Sequence, residues 1–254
     1  MSFQYLCFQR QKPRSANSQR SVIPILKTKS RKYGPVTDTE CITRLSPTLI
    51  TGAHDSGKSR MLDKLYAEER AIWGAKVHSP ALRLGALLPL SAWIEAGPVE
   101  AWWEKRVAEH TAKLEAGIQP ANPAELIPWK KYKSWQKADM LADYLRDTGA
   151  VLFMDDCHKL TGRKLQIARN CAMVAKIWII SASDEARIAP NLRTVILRRD
   201  PQIIRLGSDV AYDATGALTW ILAILLLVSG MSEAALVIAG LRMLSSGRLA
   251  ARDE

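Results

Sequence analysis

The first 37 residues contain no aspartate or glutamate, yet Arg10, Lys12, Arg14, Arg20, Lys27, Lys29, Arg31 and Lys32 all fall among them. Eight of the eleven net positive charges of this 254-residue chain therefore lie in its opening segment, and the rest is only mildly basic. Cysteine is scarce. Cys7, Cys41, Cys157 and Cys171 show neither C-x-x-C spacing nor a metal-ligand pattern, which argues against a thiolate metal site and leaves reduced thiols as the expectation. The opening "SFQYLCFQRQK" lacks a sustained apolar core after its first charges, so no secretory leader is expected. No internal repeat is apparent, and the length suits one full core plus an appendage rather than two large domains.

Residues 1–44 are polar, basic and interrupted by Pro13, Pro24 and Pro35. That pattern predicts a mostly extended arm with a short strand near "SVIPIL". Clustered Lys and Arg release counterions from a polyanion, so the arm suits nucleic acid or an anionic lipid surface. From residue 45 the pattern changes. "PTLITG" reads as a short buried strand that runs into "TGAHDSGKS", residues 51–59. This stretch satisfies G-x-x-x-x-G-K-[ST] at Gly52, Gly57, Lys58 and Ser59, with Ala53, His54, Asp55 and Ser56 between the glycines and Arg60 following. Such a loop curls backbone N–H groups around phosphate oxygens; the lysine reaches the β- and γ-phosphates and the hydroxyl takes a Mg²⁺ position. "KSRMLDKLYAEERAIWG" then puts Met61, Leu62, Leu65 and Tyr66 on one helical face. Strand, glycine loop and helix in that order aim a helix N-terminus, with its free N–H groups and positive dipole end, at an anion.

Further on, "ALLPLSAWI" reads as a second strand, "VEAWWEKRVAEHTAKLEAG" as a helix and residues 134–148 as another. "AVLFMDDC" is an apolar run ending in two carboxylates. It is followed by a helical "TGRKLQIARNCAMVAK" and by the strands "IWIISAS" and "TVILRRD". Strands that alternate with helices, apolar on both faces, predict an α/β fold: a mainly parallel sheet sandwiched by helices. Its strand delivers Asp155 to the C-terminal end, where ligands gather in open α/β sheets, and Asp155 is expected to support Mg²⁺. Asp156, beside it, is placed to orient or deprotonate an attacking water.

Residues 45–200 resemble a P-loop ATPase of the additional-strand class, close to AAA-type ATPases. "DDCHKL" is similar to the "DEAHKL" run that follows the Walker B strand in transposition- and secretion-associated AAA ATPases. In that family the second acid is usually a glutamate that serves as catalytic base; this chain carries Asp156, one methylene shorter. The resemblance implies ATP and Mg²⁺ as ligands. It also implies a sensor strand at "IWIISAS" whose polar end, Ser181 or Ser183, contacts the γ-phosphate. Arg193, Arg198 and Arg199 in "NLRTVILRRD" are the candidates for an arginine finger acting across a subunit boundary. No N-K-x-D stretch exists for guanine recognition and no L-S-G-G-Q-like signature appears, which argues against a GTPase or an ABC subunit.

After Pro201 the family pattern fails. Residues 201–213 read as a linker, and "ATGALTWILAILLLVSGMS", residues 214–232, carries no charge. A stretch of that length and leucine density meets the requirement for a bilayer span of ~20 residues. Residues 214–245 are therefore expected as a membrane anchor, a single hydrophobic helix or a helical hairpin, with 246–254 a polar tail. The alternative is a soluble hairpin packed as a reduced lid. "WKKYKSW", residues 129–135, interleaves Trp129, Tyr132 and Trp135 with lysines. It reads as a loop entering a helix with its aromatics in the core, the alternatives being single-strand stacking or interfacial anchoring. The expectation is an ATPase at the cytoplasmic face of a membrane, partnered by copies of itself or a membrane protein. A nucleotide-gated scaffold with little hydrolysis and a soluble DNA-associated ATPase remain as alternatives.

Overall fold

The structure, a computed structural model, describes residues 3–10, 22–29, 34–74, 77, 79–95, 98–116 and 127–207, and near the C-terminus 221–222, 224–226 and 228–230. The chain divides into two units, Met1–Ser208 and Asp209–Glu254.

In chain order the first unit contains β1 (Phe3–Arg10), β2 (Val22–Lys29), β3 (Val36–Cys41), β4 (Thr48–Gly52), α1 (Lys58–Ala67) and α2 (Glu69–Trp73). Then come β5 (Leu82–Gly85), α3 (Leu90–Glu95), α4 (Val99–Glu115), α5 (Ser134–Thr148), β6 (Leu152–Asp155) and α6 (Gly162–Val174). The unit ends with β7 (Trp178–Ala182), α7 (Pro190–Leu197) and β8 (Gln202–Leu206). Five strands form a parallel sheet in the order β5-β6-β7-β4-β8. β7 thus lies between the strand that leads into the glycine loop and the strand that ends in the paired acids. The register Ile50↔Ser181 and Met154↔Ile180 brings the C-terminal ends of all three to one rim.

Successive strand side chains point to opposite faces, so an unbroken apolar run supplies two cores at once. Leu49, Leu152, Met154, Trp178 and Ile180 face one way, against Trp93, Trp103, Leu141, Tyr144, Ala168 and Ile196. Ile50, Val151, Phe153 and Ile179 face the other way, against Leu62, Leu65, Ile72 and Trp73. Tyr66 and Trp73 both stand edge-on to the Phe153 ring, with centroids 5.3 and 5.8 Å away.

The basic opening segment is not a free arm. β1, β2 and β3 form an antiparallel sheet in that order, and Val22 and Leu26 enter the same core as α1 and α2. Pro24 does not break β2, because its level of the strand pairs with Phe8 of β1 and lies beyond the β3 ladder, which starts at Ile25. Two glutamines fasten this sheet to β8. Gln4 donates to Arg205 O at 3.4 Å and accepts from Gly207 N–H at 3.0 Å. Gln202 donates to Cys41 O and Glu40 Oε1, each at 2.9 Å, and accepts from Thr43 N–H at 2.8 Å.

Several elements differ from the sequence expectation. The strand in "ALLPLSAWI" is confined to Leu82–Gly85; past Pro89 the chain turns into α3, which buries Trp93 and Ile94. "TVILRRD" belongs to a helix, since Pro190 at the first turn presets its φ and Leu192 and Ile196, four apart, face the core. The last strand is instead β8, inside the expected linker. The helix expected over 58–74 is broken at Glu68 into α1 and α2. The apolar stretch 214–232 lies largely outside the described residues, and 246–254 lies wholly outside them. Residues 221–222, 224–226 and 228 are helical, with Ile221, Leu222, Ile224, Leu225 and Val228 exposed. Among the described residues no helix is long and apolar enough to cross a membrane.

Gly52 is where β4 and β8 approach too closely for a side chain. An added Cβ would lie 2.6 Å from both Leu206 O and Ser56 Oγ. Gly52→Ala is expected to cost about 1–3 kcal/mol through overpacking, read as a lower urea midpoint with an unchanged slope. An unaltered midpoint would show that β8 yields freely.

Candidate functional site

At the rim where β4, β7 and β6 end, the backbone between β4 and α1 twice adopts the left-handed conformation, at Asp55 (φ 62) and Gly57 (φ 85). Gly57 precedes α1, no side chain caps the helix, and its first turn holds no acid. The first helical bond runs from Met61 N–H to Gly57 O at 2.9 Å. The N–H groups of Lys58, Ser59 and Arg60 therefore have no carbonyl within the helix to meet, and they carry its positive dipole end.

Lys58 is buried to 7% exposure, and its ammonium donates to Gly52 O (2.8 Å), Ala53 O (2.6 Å) and Ser56 Oγ (3.4 Å). Desolvation lowers its pKa from the ordinary lysine value, opposed by the charges of Asp156 and Asp155. The lysine thus braces the loop from inside while staying next to the cavities that flank it.

One hydrogen-bonded cluster joins three elements. Ser59 Oγ, at the start of α1, donates to Asp155 Oδ1 at 3.2 Å. Ser181 Oγ, on β7, donates to the same oxygen at 2.5 Å and accepts from the Asp156 N–H at 2.9 Å. Ser181 is fully buried, so it holds the acid and does not face a ligand as the sensor expectation had it. Ser183, two residues further and just past the end of β7, does line the cavities, and its Oγ is buried without a hydrogen-bond partner.

Asp156 also sits in the left-handed region, at φ 53. Among residues with a side chain, Asp and Asn are the ones enriched there, which fits the shorter acid at this position. Its Oδ2 accepts from Lys159 Nζ at 2.6 Å across the short 3-10 turn Cys157–Lys159. His158, in the middle of that turn, accepts the Ser183 N–H on Nδ1 at 3.2 Å. Two cavities open around these groups. One, of about 340 Å³, is lined by His54, Asp55, Gly57, Lys58, Ser59 and Arg60 together with Asp156 and Lys159. The other, of about 530 Å³, continues from Lys58, Asp156 and Lys159 to His158, Ser183 and Arg187. Of the glycine-loop residues named from the sequence, all but Gly52, Ala53 and Ser56 line the first cavity; Ala53 lines the second, and Gly52 and Ser56 back onto Lys58.

His158, Lys159 and Arg187 were not singled out from the sequence. The first two stand inside the quoted "DDCHKL", and a turn after Asp156 was the signal that would have brought Lys159 back over it. The arginines separate clearly. Arg199 donates to Ala172 O at 3.4 Å and to Ala175 O, closing the C-terminal end of α6, so it is structural. Arg193 lines a third cavity of about 610 Å³ with Thr51, Gly52 and Ser183, and Arg198 is exposed. In "WKKYKSW" Trp129 is buried and Tyr132 packs edge-on to Trp103 at 5.6 Å, leaving only Trp135 outward. Burial pushes the Cys157 thiol up and that of Cys171 to about 12, so neither is a ready nucleophile.

No protein-family model matches this chain, and no curated protein sequence does. Among solved structures it is similar to the crystal structure of Cdc6p from Pyrobaculum aerophilum, at 16% identity and a TM-score of 0.34, over 63% of this chain. The match spans 38% of the length of that structure's chain.

Burial lowers the His158 pKa below 6.5, the effect being larger than the opposing charge of Asp156. The neutral ring is the form that accepts the Ser183 N–H, so its contribution to stability is complete above pH 6.5 and is lost as pH falls through the depressed folded value. His158→Asn keeps an acceptor and does not titrate. Urea midpoints measured between pH 7.5 and 5 should fall less steeply in this variant than in the parent; parallel profiles would remove His158 from the account.

Proposed function

We propose that this chain is a Mg²⁺-dependent ATP-binding protein that hydrolyses ATP and couples its nucleotide state to a partner assembly. The observation that carries the reading is the bond from Ser59 to Asp155, which joins the helix start after the glycine loop to the acid of a strand two positions away in the sheet. In this reading Lys58 and the N–H groups of Lys58, Ser59 and Arg60 bind phosphate oxygens. Ser59 and Asp155 offer converging hard oxygen donors, and among the described residues no group of three or more His, Cys, Asp or Glu competes for a cation. That donor set fits Mg²⁺, which keeps most of its shell as water and phosphate oxygen. When bound, the ion neutralises charge on the phosphate oxygens. Asp156 orients the attacking water and accepts its proton, with its backbone fixed by Ser181. Ser183, which lines the cavities, is the serine of that strand end left to contact the terminal phosphate.

The uncharged stretch 214–232 supports attachment to a membrane, with the nucleotide site on the cytoplasmic side where ATP is found. The exposed Ile221, Leu222, Ile224, Leu225 and Val228 agree with a segment that meets lipid. The partner is a further copy of the chain or a membrane protein, and Arg193 and Arg198 are the arginines left to reach across such a boundary. A nucleotide-gated scaffold with little turnover is the second reading, favoured by the ion pair that engages Asp156.

Lys58→Ala should abolish nucleotide binding measured by calorimetry. Asp156→Asn tolerates the same backbone and should retain binding while phosphate release drops by about 10²–10⁴-fold; normal ATP affinity in the first variant would defeat the assignment. Full-length protein should stay with membranes through carbonate extraction, and a chain truncated before Ala214 should be released. Recovery of the full-length chain in the soluble fraction would refute attachment.

A further inference from the structure

Lys159 stands inside "DDCHKL" with no role assigned to it there, yet its place in the site is specific. Its backbone N–H is tied to Asp156 O at 2.8 Å and its ammonium to Asp156 Oδ2 at 2.6 Å, so a single turn presents both side chains to the same space. Asp156 is the more enclosed partner, 17% exposed against 39% for Lys159. The lysine is thus the member of the pair that is free to turn away. Both line the cavity around the start of α1, and both line the cavity that extends toward Ser183 and Arg187. His54, Asp55, Gly57, Lys58, Ser59 and Arg60 share the first cavity with the Asp156–Lys159 pair. A polyphosphate held there by Lys58 therefore lies in the same space as the Lys159 ammonium.

We infer that Lys159 reads the terminal phosphate: it leaves Asp156 for the γ-phosphate when a triphosphate is bound and returns to Asp156 when only a diphosphate remains. This inference rests on the nucleotide reading above and adds a device to it. The physical basis is a competition for one ammonium. A carboxylate offers a single negative charge, whereas a terminal phosphoryl group spreads more charge over three oxygens. While Lys159 stays on Oδ2 it occupies the lone pair that a water proton would take. Its departure frees that oxygen in the state that contains something to hydrolyse.

The test compares affinities of the full chain, with Mg²⁺ present, for the non-hydrolysable triphosphate AMP-PNP and for ADP, in the parent, Lys159→Met and Lys159→Arg. One charge-assisted hydrogen bond present only with the triphosphate is expected to give the parent about a tenfold preference for AMP-PNP. Lys159→Met should lose that preference through weaker AMP-PNP binding, with ADP affinity held within about twofold, and Lys159→Arg should restore it. ADP binding shows in the same experiment that the variant is folded. An AMP-PNP to ADP ratio in Lys159→Met equal to that of the parent overturns the inference and leaves the nucleotide site standing. Failure of the parent to bind either nucleotide overturns both.

Discussion

A single carboxylate oxygen, Asp155 Oδ1, is the point on which the site depends. It receives one hydroxyl from the first turn of α1 and one from the middle strand of the sheet. Three segments far apart in sequence are thereby held at one rim. A carboxylate taken partly out of water must be hydrogen-bonded, and here the bonds that satisfy it also set the spacing between loop and acid. Ser181 extends the link to the Asp156 backbone, so the second acid is positioned through the first. Loss of any one hydroxyl would leave a neighbour unsatisfied as well as a contact missing.

Much of this was legible in the residues because local chemistry and global placement agree. "PTLITG" followed by the glycine loop specifies a strand, a turn and a helix start whatever surrounds them. The stretches "VLFM" and "IWII" are apolar at every position, as strands covered on both faces must be. Other parts were decided by tertiary contacts that periodicity does not report. The β-branched Thr194, Val195 and Ile196 suggested a strand, yet Pro190 and the Leu192–Ile196 spacing made a helix against α6. Pro24 suggested interruption, and only the register of its partners shows why a strand accommodates it. Serine at a strand end says nothing about what its hydroxyl meets: Ser181 lies within β7 and turns to Asp155, whereas Ser183 lies past the last residue of the strand, beside the cavities.

Charge was the least informative property at the level of single residues. The polar, basic composition of the opening segment suggested a mostly extended arm with one short strand, but Val22, Ile25 and Leu26 are buried and seat β2 in the core. Two of the three candidate arginines remain available to a partner, whereas Arg199 is bound to carbonyls at the end of α6. Conversely Lys159, lost in the sequence among many lysines, is paired with the acid that the proposed chemistry uses. What separates these cases is the acceptor each cation meets, and that is a matter of topology.

The carboxamide of Gln4 engages the Arg205 carbonyl and the Gly207 amide, the two backbone groups that a further strand alongside β8 would need. An unpaired strand at a sheet border is a template for another chain's backbone. In this molecule a side chain imitates a peptide unit there and brings the opening sheet over the same border. Copies of the protein are thus denied a continuous ladder on that side of the sheet.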